Sequence, residues 1–338
     1  MSVLSTLQTN VTGPWFSIQD KHLIKCVAYS WFLLILFILQ SVLAGWIWYM
    51  NQWSKIISSK YYYRGIMKTE KAQTMVNIWI NEFIIWSVLR EDIQIIYEGE
   101  TINTKCKNQL ILSNHRSIID YTLIQSQFGA ENVIFAGWTR LMKYPSFKHF
   151  WTIFRHDEND NVSVSKIKKF YGPENLVIFP EVNIFTPEVK LIERKLMKLK
   201  YKGLPVLHNV LYPRFGTFVN LIKAFSNSND RKWCRMLEYL ILPTEPILRD
   251  SMKLLDLTLV YYKITLNSMG EYKLEQTTPA LWDIWSLESP MVLCIHASYH
   301  DIDKLTKKKP KQLESWLETQ WCAKDKLIDT FELNVEIV

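Results

Sequence analysis

The sequence predicts an α/β domain, a mixed sheet flanked by helices, with an N-terminal transmembrane helix ahead of it. Three observations lead there. Over residues 101–305, short apolar runs that stop at turn residues alternate with segments of helical periodicity, the pattern of a mixed α/β layer. Residues 26–54 carry no formally charged side chain. Two of the apolar runs end next to His115 and Glu181, at the C-terminal edge of strands, where open α/β sheets place their reactive groups. The chain therefore divides into a tail at 1–25, the membrane helix at 26–54, a membrane-associated helical region at 55–100, the α/β domain at 101–305 and a C-terminal helix packing on it at 306–338.

In 338 residues one catalytic domain can bury a full core, and no second large domain is required. The formal charge is +7, yet aromatic residues make up 14% and tryptophan numbers 14, a mixture suited to an anionic membrane surface. Nucleic acid is the rival partner for basic charge. No zinc spacing, Arg-rich helix or glycine-bearing aromatic RNA motif supports it. The cysteines, Cys26, Cys106, Cys234, Cys294 and Cys322, are odd in number and never in C-x2-C, which implies neither a disulfide framework nor a metal site.

Residues 27–49 are dense in Leu, Ile, Phe, Trp and Val, enough for the ~20 residues that cross a hydrocarbon core. A signal peptide would be shorter, would begin earlier and would end at a small-residue cleavage site. Lys55, Lys60, Arg64 and Lys68 follow the span against Lys21 and Lys25 before it, which places the bulk of the chain on the cytoplasmic side. Residues 75–89 form a second apolar helix, but Glu82 near the middle of a full crossing would be costly. That helix is read as embedded in one leaflet or packed between membrane and domain.

The run 109–113 reads as a buried strand, and a helix follows from about Ser117 to Phe128. His115 and Asp120 in the turn between them could form a dyad. A neutral His115 would take a proton from a substrate hydroxyl while Asp120 holds the other ring nitrogen. The same residues read equally as a helix start, since Ser117-x-x-Asp120 is a capping box. Spacing does not choose, because His296 and Asp301 repeat the interval at a strand end and loop.

Residues 133–155 interleave Arg140, Lys143, Lys148 and Arg155 with aromatic rings, either a cationic wall for phosphates or a solvated face. Residues 176–181 make the next buried strand, closed by Pro180. Thr186, Pro187 and Glu188 open a helix ending near Gly203, with Val189, Ile192, Leu196 and Leu199 as its buried stripe. Strands are expected at 204–212, 255–265 and 290–297, and a last helix at 311–333 buries Leu313, Trp316, Leu317, Leu327 and Phe331. With 10 glycines and no phosphate-cradling loop, a Rossmann or P-loop site is not indicated.

Asn114-His115-x4-Asp120 and Phe179-Pro180-Glu181, in that order inside one α/β domain, resemble the acyl-CoA glycerolipid acyltransferases, the 1-acylglycerol-3-phosphate acyltransferase family. Residues 206–214 with Gly216, Thr217 and Phe218, a strand bearing His296, and the Trp-rich helix around Trp316 and Trp321 look like its lysocardiolipin and lysophosphatidylinositol branch. The likeness runs from about residue 25 to 333. It implies that His115, partnered by Asp120, deprotonates a lysophospholipid hydroxyl that attacks the thioester of an acyl-CoA. It further implies Asn114, Arg116, Arg155 (or His156, one place along), Glu181, Asn183 and Arg214 as substrate-binding residues. The partners would be membrane lipids, with a lysophospholipid acceptor and acyl-CoA as co-substrate, and no metal or redox cofactor. The location implied is the endoplasmic reticulum. No protein partner is indicated.

The sequence departs from the family where its glycine is Val182 and its threonine is Asn183, where 153–156 match the second motif poorly, and where the branch often carries a further hydrophobic segment. A valine resists positive φ and blocks close backbone approach, so the acceptor site would be reshaped. A non-catalytic relative that binds lipid or a partner is the competing class. A dyad-based hydrolase is a third reading, which no G-x-S-x-G elbow supports.

Overall fold

The computed structural model describes residues 15–54, 60–89, 93–107, 109–136, 141–142, 162–164, 167, 174–200, 203–226, 253–266, 272–286 and 291–335. Two long helices lead, α1 (Trp15–Ser54) and α2 (Lys60–Leu89). Then follow β1 (Ile93–Gly99), β2 (Leu110–Ser113), α3 (Asp120–Phe128), β3 (Val133–Ala136), β4 (Leu141–Met142) and β5 (Asn175–Ile178). The second half runs α4 (Pro187–Lys200), α5 (Phe215–Ser226), β6 (Lys253–Leu266), β7 (Tyr272–Thr277), α6 (Leu281–Ser286), β8 (Met291–Asp301), α7 (Ile302–Thr306) and α8 (Pro310–Val335).

The strands make one mixed sheet in the order β1-β8-β6-β2-β5-β3-β4, with β7 on the far end of β6. At its centre β2 lies parallel to both β5 and β6, and β5 parallel to β3. Alternation along these strands builds two cores. Ile111, Val177, Leu255, Leu257 and Leu293 face the layer of α1, α2, α3 and α6, where Leu36, Ile80, Ile124 and Trp285 meet them. Leu110, Leu112, Ile178, Leu254 and Val292 face α5, α7 and α8, against Phe218, Leu305, Leu317 and Trp321. The predicted α/β class, with a mixed sheet between helices, is what forms.

Among the described residues one stretch, Leu23–Trp53, is long and apolar enough to cross a membrane. Its helix starts at Trp15, inside the expected tail, because Asp20, Lys21 and Lys25 mark the end of the apolar span without interrupting a helix. The second helix is twice as long as expected. Its Val76, Ile80, Ile84 and Val88 pack into the core, while Asn77 accepts a hydrogen bond from Gln40 of α1. Asn77 of α2 is thus turned to its neighbour, and both helices pack on the domain, α1 through Tyr29 against Trp285 of α6.

Several expectations are corrected. The helical region assigned to 55–100 ends at Leu89, and β1 runs parallel to β8. Residues 204–212 form no strand. The backbone N–H groups of His208 and Asn209 donate to Asp325 Oδ1 at 2.7 and 2.5 Å, and that of Tyr212 donates to Glu193 Oε2 at 3.0 Å, so carboxylates replace a ladder. Helix α4 forms as its cap predicts, with Thr186 Oγ1 accepting from Val189 N at 3.2 Å. Its stripe does not face the core: Ile192, Leu196 and Leu199 are exposed. In α8, Leu313, Leu317 and Phe331 are buried as expected, and so are Trp321, Lys324, Asp325 and Ile328.

Lys324 carries a buried charge from α8 to the sheet, where Nζ lies 2.6 Å from Asp256 Oδ1 and also donates to the Leu257 carbonyl. Removing one partner leaves the other charge without compensation, so Lys324→Met should cost about 3–5 kcal/mol of stability. Replacing both members by apolar residues should recover most of it. Thermal melts of the two purified variants check this, and equal loss in both would remove the pair as the cause.

Candidate active site

The site grows from the two central parallel strands. Leu112 of β2 is in register with Ile178 of β5, so the turns after Ser113 and Ile178 emerge side by side at one sheet edge. His115 and Glu181 stand in those turns. The β6 strand continues past this edge, and Asn114 uses it: its Nδ2 donates to the Leu259 carbonyl at 2.9 Å and its Oδ1 accepts from Leu259 N at 2.7 Å. The buried amide extends the β2–β6 ladder by one rung and fixes where the next residue begins.

His115 Nδ1 is 2.8 Å from Asp120 Oδ2. That oxygen also accepts from the backbone N–H of Arg116 at 2.7 Å and of Ser117 at 2.9 Å, and Oδ1 accepts from the Tyr261 hydroxyl at 2.6 Å. A carboxylate receiving such a set is an acceptor only, so the histidine carries a proton on Nδ1, and the neutral ring has its lone pair on Nε2. Nε2 is buried and has no hydrogen-bond partner among the described residues. Burial and the Asp120 charge hold the Tyr261 hydroxyl well above the usual tyrosine range, so it remains a donor. The dyad forms, and of the capping box only one half does: Ser117 N–H donates to Asp120, while the Ser117 hydroxyl accepts from Ile119 N and no side chain caps the first residue of α3. Asp120 thus closes the turn that leads into α3 and orients the ring with the same carboxylate. The second His-x4-Asp pair does not combine two roles, since β8 is extended there and five residues span about 16 Å; Asp301 only caps α7 through Asp303 N.

The ring and backbone of His115 are held from the 179–185 segment. Phe179 stacks on the imidazole with centroids 4.3 Å apart, and Tyr121 meets its edge at 5.2 Å. The His115 N–H donates to Glu181 Oε2 at 3.2 Å, and its carbonyl accepts from Phe185 N at 2.9 Å. Glu181 Oε1 accepts from Trp321 Nε1 at 3.1 Å. Both Glu181 oxygens are therefore engaged inside the protein, and the residue is 2% exposed. Desolvation pushes its carboxyl up to about 8 against the opposing pull of those donors and of Arg116.

Arg116 is fully buried, with Nη1 donating to the Asn209 carbonyl at 2.6 Å, Nη2 to Gln276 Oε1 at 2.8 Å, and its guanidinium 4.2 Å from the centre of the Phe185 ring. It ties the catalytic-type turn to the 209 loop and to β7. Asn183 is half-buried, its N–H donating to the Glu181 carbonyl at 2.7 Å. Arg214 is exposed and donates from its backbone to Pro180 O at 2.7 Å. Arg155 and His156 lie outside the described residues, as does the basic stretch from 143 to 161. Of the expected residues, the structure brings together His115, Asp120, Asn114, Arg116 and Glu181, with Asn183 and Arg214 on the adjoining turn. Phe179 belongs to the Phe179-Pro180-Glu181 motif, where the sequence assigned it no role, and Tyr261 and Trp321 have no local signal, because Tyr261 is 141 residues from Asp120 and Trp321 is 140 from Glu181.

Val182 adopts φ 66°, the one non-glycine residue with positive φ among those described. The turn keeps the backbone that suits glycine although a β-branched residue occupies it, a conformation costing about 1–2 kcal/mol. Among the described residues no group of three His, Cys, Asp or Glu side chains could hold a metal ion.

Two outcomes are expected. Val182→Gly should raise stability by roughly 1 kcal/mol, the relieved strain less the added freedom of the unfolded chain; an unchanged or lower melting temperature would show that the turn stores no strain. Glu181 binds its proton more tightly folded than unfolded, so its contribution is present below the ordinary glutamate range and is lost as pH rises toward about 8. Melting temperature measured from pH 5 to 8 should fall in the wild type and fall less in Glu181→Gln, and parallel curves would reject that assignment.

The chain is 30% identical over 166 residues to the probable 1-acyl-sn-glycerol-3-phosphate acyltransferase 5 of Arabidopsis thaliana. The match covers 43% of this chain and 43% of that relative, so the chain spans less than half the relative's length. No protein-family model and no solved structure matches it. The likeness supports the glycerolipid acyltransferase family that the two motifs resemble, without reaching a particular branch of it.

Proposed function

We propose that the protein is a membrane O-acyltransferase that moves an acyl chain from acyl-CoA to the free hydroxyl of a lysophospholipid. The observation that carries the reading is the orientation of His115: its Nδ1 is bound by Asp120 at 2.8 Å and its Nε2 is left bare. Such a nitrogen accepts a proton from a hydroxyl placed against it. The deprotonated oxygen attacks the thioester carbonyl carbon, the C–S bond breaks, and the departing CoA thiolate takes the proton back from the imidazolium. Asp120 stabilises that cation in passing. No protein nucleophile is needed, nor a metal or redox cofactor, and acyl-CoA is a co-substrate.

Asn114, Glu181 and Arg116 serve this step through His115. Asn114 anchors the turn to β6, Glu181 holds the His115 N–H, and Arg116 binds the neighbouring loop. Asn183 and Arg214, on the adjoining turn, are the side chains we assign to the glycerophosphate, together with Arg155. The span in α1 and the likeness to the plant 1-acyl-sn-glycerol-3-phosphate acyltransferase support a lipid acceptor presented in a bilayer. The surplus of basic residues after that span supports a cytoplasmic active site. The endoplasmic reticulum and the lysophosphatidate, lysophosphatidylinositol or lysocardiolipin type of acceptor follow from the resemblance alone.

In membranes given labelled oleoyl-CoA or stearoyl-CoA and each of the three acceptors, the wild type should acylate at least one. His115→Ala should lose transfer by about two to four orders of magnitude at unchanged protein level and membrane association. Substantial residual turnover would remove His115 as the base. Silence of the wild type on every acceptor and donor would favour the non-catalytic lipid-binding class.

A further inference from the structure

Helix α4 is amphipathic in the inverted sense. Its inward side is polar: Glu193 takes the Tyr212 N–H, Arg194 bonds the His208 ring, and Lys190 lies 5.3 Å from the centre of the Phe185 ring. Its outward side is aliphatic. Ile192, Leu196 and Leu199 recur at the i, i+4, i+7 interval and are 59%, 38% and 76% exposed, with Leu191 beside them at 55%. A solvent-facing stripe of this length marks a surface that something covers.

We infer that this face of α4 lies in the interfacial region of an anionic phospholipid leaflet and flanks the route to His115. The charge pattern favours lipid over protein. Lys190, Arg194, Lys195, Lys198 and Lys200 stand against Glu188 and Glu193 in the helix, and exposed Lys195 adjoins the stripe, the arrangement by which interfacial helices pair apolar burial with anionic headgroups. The same chain carries a span long and apolar enough to hold the domain at a bilayer. Position agrees as well. The helix begins two residues after Phe185, whose N–H bonds the His115 carbonyl, so a lipid surface against α4 adjoins the turn that carries the dyad. The substrate class this adds is an acceptor taken laterally from the leaflet. That last step rests on the proposed reaction; the membrane contact does not.

The full chain reconstituted in phosphatidylcholine and phosphatidylserine vesicles, doped with a diazirine phospholipid, tests the contact by photolysis and peptide mapping. Adducts should fall in α1 and also in 187–199. Leu199→Gln should lower the α4 adducts severalfold and leave those in α1 unchanged, and Lys195→Glu or omission of phosphatidylserine should lower them too. Adducts confined to α1 and α2 would overturn the inference. So would α4 adducts that disappear as protein density rises while those in α1 persist, since the face would then be covered by a second copy. The readout needs no turnover, so a labelled but inactive protein counts against the acyl-transfer reading alone.

Discussion

The carboxylate of Asp120 is the interaction on which the rest depends. It accepts two backbone N–H groups of the turn before α3, the Nδ1 proton of His115 and the hydroxyl of Tyr261 from β6. One side chain therefore closes the turn before a helix, orients an imidazole and joins that turn to a neighbouring strand. The N–H groups that fix the turn also stabilise the carboxylate's charge beside the imidazole.

Topology supplies the remaining constraint. Only neighbouring parallel strands bring two turns out at one edge, and β2 and β5 are such neighbours. The 179–185 segment can then grip His115 by ring stacking, by its N–H and by its carbonyl. Asn114 adds the third side by bonding β6. The helix α8 reaches the same place from the opposite layer through Trp321 and Glu181. The His115 turn is held by groups from both cores, which gives it little freedom to reorganise.

What was legible in the sequence follows the burial of each element. The central strands 110–113, 175–178, 253–266 and 291–301 are apolar on both faces or nearly so, and their runs read directly. Edge strands β1 and β7 alternate with Glu98, Glu275 and Gln276, so no apolar run marks them. The region 204–212 looked like a strand from its aliphatic residues, but its N–H groups are taken by Asp325 and Glu193, partners that periodicity does not reveal. For α4 the period was right and the side was wrong, because periodicity reports that a helix has an apolar face and not what covers it. At the site, the motif residues were legible, while Tyr261 and Trp321 depend on strand register and on helix packing across some 140 positions.

The charge balance of the site follows from these contacts. Glu181, Asp120 and Arg116 are all buried around the His115 turn, and three ionised groups there would leave a net negative charge in a dry interior. Desolvation moves Glu181 up to about 8, so near neutral pH it is chiefly uncharged while still accepting from Trp321 and the His115 backbone. An imidazolium forming on His115 meets the Asp120 carboxylate directly, without a second anion competing for the same proton. Glu181 contributes geometry to the turn and leaves the counter-charge to Asp120, which explains how two carboxyl groups can flank one histidine and act differently.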